Sequence, residues 1–317
     1  MGNRATRSLE SFIDFQNIMP KHYTSVADFK FHDPLYEEEE FNGLVFNSIF
    51  IPEEVLTQIL SFIPPKELLP LTLVCKKWCN IIKSECIWME IYNKGHTHRA
   101  KLLPWYVYYL YFTTDSFTNL LKNGNGKDGF KNWVILKNLG DQFKIEDPPK
   151  GSDPLPEGVP DFNGHTSCFV TSYYECNKIQ EIQLENKRLL RYVMNKYRPQ
   201  IAASEWVAAR FDCGCEYKLT FRGFGPNYLP KEPNEYVDEE EIEDALFEKH
   251  KSVRFEQWAG KSWEKVELLV EDYPKNVKTL VFEHEGNDTQ FWKGHYGSKM
   301  AGGVVKFLFE SIESERD

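Results

Sequence analysis

The sequence predicts an α+β protein of two domains, a small helical cluster followed by a connector helix and an antiparallel β-sandwich, and three observations predict it. At 317 residues the chain is about twice the usual domain length. Between residues 52 and 91 apolar residues recur at spacings of three and four, the period of a helix. Beyond Asn123 two Asn-Gly turns open a region of short alternating runs, such as Tyr217, Leu219, Phe221 and Val253, Phe255, the period of strands.

Residues 1–45 show no sustained period and close on the acidic run Glu37 to Glu40, so a mobile or loosely packed lead-in is expected there. Order is expected from Ile49. Pro52 opens a first helix, Glu53 and Glu54 oppose its positive dipole end, and Val55, Leu56, Ile59, Leu60 and Ile63 form its stripe until Pro64 and Pro65 end it. A second helix is expected from Pro70 to about Lys83, with Leu71, Val74, Cys75, Trp78, Ile81 and Ile82 on one side. Ser84 can cap a third carrying Ile87, Trp88 and Ile91. So small a unit, spanning residues 46–95, cannot enclose all its apolar surface and should complete its core on a partner or on the next domain.

Leu102, Leu103, Tyr106, Tyr109 and Leu110 continue at helical spacing, which predicts a connector helix within residues 96–115, kinked or begun by Pro104. The sandwich then occupies residues 116–312. A helical stripe at Leu189, Leu190, Val193 and Met194 interrupts it, and residues 224–252, with their prolines and acidic cluster, read as a surface insertion.

A net charge of −10 disfavours nucleic acid and anionic membranes as general partners. The longest apolar stretch, residues 102–112, contains Pro104 and is far short of a transmembrane span. Seven cysteines without scaffold spacing suit a reducing, cytoplasmic compartment and buried free thiols. Neither Cys75 with Cys79 nor Cys213 with Cys215 has the second pair a zinc site needs, so no metal and no cofactor is expected. The N-terminal Met1-Gly2-Asn3-Arg4-Ala5-Thr6 fits the myristoylation pattern at Gly2, and one acyl chain would give only weak, reversible membrane association.

The helical unit resembles an F-box. Ile51-Pro52-Glu53-Glu54-Val55-Leu56, Ile59-Leu60-Ser61-Phe62-Ile63-Pro64, Leu68-Leu69 and Leu73-Val74-Cys75-Lys76-Lys77-Trp78 up to Trp88 carry that resemblance. It implies docking on the Skp adaptor and, through it, on a cullin. Pro52, Leu56, Ile59, Leu60, Leu68, Cys75 and Trp78 then stand at contact or framework positions of that interface.

The second half is similar to the F-box-associated domain of the glycoprotein-recognising F-box proteins. The motifs are Tyr109-Leu110-Tyr111-Phe112, Asn119 to Asn123 before Gly129 and Trp133, Trp206 with Arg210, Asp212, Gly214, Cys215 and Tyr217, Phe282 to Gly286 with Asp288, and Phe291-Trp292-Lys293-Gly294-His295-Tyr296-Gly297. The resemblance implies that Phe291, Trp292 and Lys293 hold the inner chitobiose of an N-linked glycan. Tyr173 aligns best as a further aromatic, with Tyr174 beside it as the alternative. Phe291 stands where glycan-binding members carry a tyrosine.

From the residues alone, the adjacent Phe291 and Trp292 cannot both point into one core from an extended strand, so at least one is exposed. The flanking Gly286, Asn287, Asp288, Gly294 and Gly297 place them on a loop tip. Glu283, His284, Glu285, Asp288 and His295 could be read as an acid–base cluster, but strand alternation sets His284 opposite both glutamates, and no nucleophile motif accompanies them. The two resemblances together imply a non-catalytic receptor that brings N-glycosylated, misfolded clients to ubiquitination and proteasomal degradation, as in ER-associated degradation. The alternative is a receptor for a peptide or protein degron without sugar.

Overall fold

The computed structural model describes residues 42–233 and 244–313. They divide into two compact units: residues up to Thr114 with Arg188–Val193, and Asp115–Lys187 with Met194–Ile312. The acylation motif at Gly2 and nearly all of the lead-in at residues 1–45 lie outside the described residues.

The first unit begins with a short hairpin, β1 (Val45–Phe46) and β2 (Ile49–Phe50), turned through Asn47 and Ser48, both at positive φ as such two-residue turns require. Helices α1 (Glu53–Leu60), α2 (Pro65–Leu71), α3 (Lys76–Ile82), α4 (Glu85–Gly95) and α5 (Trp105–Thr113) follow. Two expectations change here. Pro65 starts a helix, because its missing N–H costs nothing at a first turn. The single helix expected from Pro70 to Lys83 is broken, since Thr72 donates its hydroxyl back to the Leu69 carbonyl (2.6 Å) and Cys75 is fully extended. Ser84 precedes α4 but gives it no side-chain cap; its hydroxyl turns to the Ile81 carbonyl (2.7 Å).

Leu56, Leu60, Leu68, Cys75, Ile82 and Trp88 form the interior of this unit. Trp78 is half-buried and donates its indole N–H to the Gly43 carbonyl (2.8 Å), which ties the entering chain to α3. Pro104 begins α5. That helix is buried on several sides, with Tyr109 edge-on to Trp88 (6.0 Å) and Tyr108, Tyr111 and Phe112 around Tyr92.

The second unit contains, among the described residues, two five-stranded antiparallel sheets. In chain order the strands are β3 (Val134–Asn138), β4 (Lys144–Glu146), β5 (Cys168–Val170), β6 (Cys176–Gln183), β7 (Ile201–Ala208), β8 (Cys215–Phe224), β9 (Ala245–Phe255), β10 (Glu264–Val270), β11 (Thr279–Asp288) and β12 (Lys299–Phe307). One sheet runs β10-β7-β12-β5-β4 and the other β3-β6-β11-β8-β9. Helix α6 (Arg188–Tyr197) is the expected helical interruption, with Leu189, Leu190, Val193 and Met194 buried.

The surface insertion expected at residues 224–252 is shorter than that. From Ala245 the chain is an edge strand paired with β8 along its length. Its run Glu248-Lys249-His250-Lys251-Ser252 hides the alternation, because an edge strand exposed to water carries charge where a core strand carries apolar residues.

The interior contains a polar tie between the sheets. Glu205 of β7 accepts a bond from the Tyr217 hydroxyl of β8 (2.7 Å) and lies 2.6 Å from Nδ1 of His284 on β11. The His284 ring stacks on Trp133 (4.8 Å), and the Lys178 ammonium sits 3.4 Å over both Trp133 and Phe169. Burial pushes the His284 pKa down to about 4 and Glu205 opposes this. The folded value lies below the ordinary one, so this stabilisation is complete above pH 6.5 and is lost as the pH falls from about 6.5 to about 4, by about 3 kcal/mol. Denaturant midpoints taken across that window should fall steeply for the wild type and less so for His284→Gln; equal slopes would remove His284 from the acid response.

Candidate functional site

Three loops converge at one end of the sandwich. Ser172, after β5, donates its hydroxyl to the Gly294 carbonyl (3.0 Å) and accepts the N–H of Asp141 (2.8 Å), while its carbonyl accepts the N–H of Asp288 (3.0 Å). His295 adds a contact to the Asp141 carbonyl (3.1 Å). Asp288 is fully buried at the end of β11, and its carboxylate accepts the N–H of Phe291. Burial raises the Asp288 pKa, and the backbone N–H groups of Phe291, Gln290 and Trp292 pull it back.

That clamp turns Phe291 into the left-handed region (φ 54°), so the next two side chains leave the sandwich. Phe291 is 64% exposed and Trp292 40% exposed, and Lys293, next in the chain, is exposed as well. The argument from adjacency required only one to be exposed. Tyr174 meets Phe291 edge-on (6.1 Å), and Tyr296 braces Trp292 edge-on (5.7 Å). Tyr173 lies behind Tyr174 (5.0 Å) and is half-buried over Gly140, so Tyr174 is the tyrosine in contact with Phe291. Tyr296, absent from the sequence-based set, carries no local signal beyond its place in the same glycine-rich segment.

The acid–base cluster considered from sequence is taken apart by the fold. His284 is sealed in the core, whereas Glu283 and Glu285 share the opposite sheet face, where Asn177 donates to both (2.6 and 3.1 Å). Arg222 pairs with Glu283 there, and Asp288 holds the loop from within.

The first unit leaves a set of apolar residues exposed. Ile49, Val55, Ile59, Phe62, Leu73 and Val74 are all exposed, from β2, α1, the turn after α1 and the turn between α2 and α3. Pro52 and Ile59 are on the surface, but Leu56, Leu60, Leu68 and Cys75 are interior, and Trp78 is held by Gly43. Of the positions named for the adaptor interface, those five are framework. Helical spacing identifies a stripe wider than one contact face, and the unit's own core takes the middle of it.

Residues 111–307 match the family model of the F-box associated region, and residues 49–94 match the F-box-like model. This chain belongs to the F-box proteins that carry an F-box-associated region. F-box only protein 6 of Bos taurus is 32% identical over 260 residues, covering 80% of this chain and 91% of the relative. The same protein of Mus musculus is 31% identical, covering 80% and 81%, and F-box only protein 44 of Homo sapiens is 28% identical, covering 80% and 94%. Family membership gives the chain its general role, a substrate receptor of a Skp–cullin–F-box ubiquitin ligase, in a family that is generally non-catalytic. Among the described residues no helix is long and apolar enough to cross a membrane.

Proposed function

We propose that this receptor captures N-glycosylated, high-mannose clients through the inner chitobiose of the glycan and presents them for ubiquitination and proteasomal degradation in the cytoplasm. The observation that carries the reading is the paired exposure of Phe291 and Trp292 on a clamped loop tip beside Lys293. A sugar stacks its C–H face on such a ring and gives its hydroxyl and acetamide groups to neighbouring donors. Burying ~100 Å² of apolar surface is worth roughly 2.5 kcal/mol, so one stack alone is too weak, and Phe291, Trp292, Tyr174 and Lys293 act as a set. Misfolding matters because an inner chitobiose lies against the protein surface until the client unfolds.

The receptor makes no bond. It holds client lysines near the charged ubiquitin carrier at high effective concentration, and geometry is its contribution. The adaptor-facing surface is drawn from the exposed apolar residues of the first unit, Ile59 among them.

A second reading has its own observation. On the outer face of the β3-β6-β11-β8-β9 sheet a cavity of about 330 Å³ is walled by Leu136, Ile179, Phe224, Tyr228 and Val281, with Arg222 and Glu283 at its polar side. It would take a side chain of a peptide degron without sugar. Enzymatic removal of N-glycans from a denatured client separates the two. Binding to the untreated client should be lost on treatment, and binding that survives removal of the sugar would favour the cavity.

A further inference from the structure

We infer that Phe211 and Trp258 form a second sugar subsite, which receives the outer hexoses of the glycan whose core sits on Trp292; this rests on the function proposed above. Trp258 is 70% exposed and Phe211 46% exposed, with ring centroids 6.3 Å apart, on the β9–β10 and β7–β8 loops. Five of the chain's eight tryptophans, Trp78, Trp88, Trp133, Trp206 and Trp263, donate the indole N–H to an acceptor inside the protein. Trp258 and Trp292 have no such acceptor among the described residues, and both are exposed. Trp258 also stands at positive φ (66°), as Phe291 does, a conformation that L side chains rarely adopt. The two loop tips thus present their aromatic residues by the same means.

The two platforms are continuous. Trp292 meets Tyr296 at 5.7 Å, the Arg210 guanidinium lies 4.7 Å over Tyr296 and 5.8 Å from Phe211, and Phe211 meets Trp258 at 6.3 Å. Each step is about the length of one hexose residue. Arg210 is fixed by Asp212 through Nε (2.7 Å), which leaves the two Nη groups, with no partner among the described residues, as donors between the rings. Ring, donor and ring in succession suit a chain of sugars, whose apolar faces and hydroxyls alternate; an apolar peptide would have no use for the central guanidinium. Both loops are held in place before any ligand arrives. Phe211 donates its N–H to Gly151 (2.7 Å), Ala209 donates to the Gly260 carbonyl (2.8 Å), and Gln257 bonds the Asp212 carbonyl (3.2 Å).

The test uses the full chain, titrated by calorimetry with di-N-acetylchitobiose and with a free high-mannose oligosaccharide that contains it. Trp258→Ala and Trp258→Gly, the second suited to the left-handed backbone, should each bind the oligosaccharide about tenfold more weakly than wild type, the equivalent of ~1.4 kcal/mol. Both should bind chitobiose as wild type does. Unchanged affinity for the oligosaccharide would overturn the subsite. So would a loss seen only with denatured glycoprotein and not with the free sugar, which would give the rings to polypeptide. Wild type that binds neither sugar would overturn the chitobiose reading and this one together, whereas wild type that binds both while the Trp258 variants match it overturns this one alone.

Discussion

Trp292→Ala is expected to lower affinity for denatured, high-mannose glycoprotein by nearly a hundredfold while leaving adaptor binding intact. The indole is braced by Tyr296 and 40% exposed on the loop tip, so its removal takes away a stacking surface without cutting the sandwich core. About 100 Å² of lost ring contact corresponds to roughly 2.5 kcal/mol. Lys293→Ala removes one donor and should cost roughly tenfold. Direct titration of native, denatured and deglycosylated glycoprotein against the wild type and both variants checks this. Wild type should prefer the denatured, glycosylated form. A Trp292→Ala variant that binds as wild type does would leave the loop tip without a role in capture and shift attention to the cavity beside Val281.

Ile59→Asp should abolish co-purification with the Skp adaptor and leave client binding unchanged. Ile59 is 49% exposed, as are Val55, Phe62, Leu73 and Val74 to similar or greater degree, and a carboxylate desolvated there without a partner costs about 3 kcal/mol or more. That exceeds a hundredfold in affinity. Leu56→Ala is the informative contrast. Its side chain is interior, so truncation should lower stability by about 2–5 kcal/mol and weaken adaptor binding only by unfolding the unit. Thermal melts beside pull-downs distinguish the two: normal melting with lost binding marks the contact face. Retained binding by a well-folded Ile59→Asp variant would move the interface elsewhere.

Much of this molecule was legible in local sequence because periodicity is a local property. Spacings of three and four gave the helical unit and α6, alternation gave the sandwich, and the adjacency of Phe291 and Trp292 with their flanking turn residues gave an exposed aromatic tip. The charged edge strand β9 escaped because exposure to water on its free side erased the apolar alternation that marks a strand. Periodicity assigns residues to a face but does not say what covers the face. The other helices of the unit cover Leu56 and leave Ile59 exposed. Loops meet only through long-range strand pairing, so Tyr174 rather than Tyr173 reaches Phe291, and Phe211 and Trp258, 47 positions apart in the chain, become neighbours. The sequence by itself determined where most helices, strands and turns lie and that a ring of the Phe291–Trp292 pair stands exposed; the tertiary structure decided which residues are covered and which share a surface, because only pairing across the sheets brings distant loops within reach of one ligand.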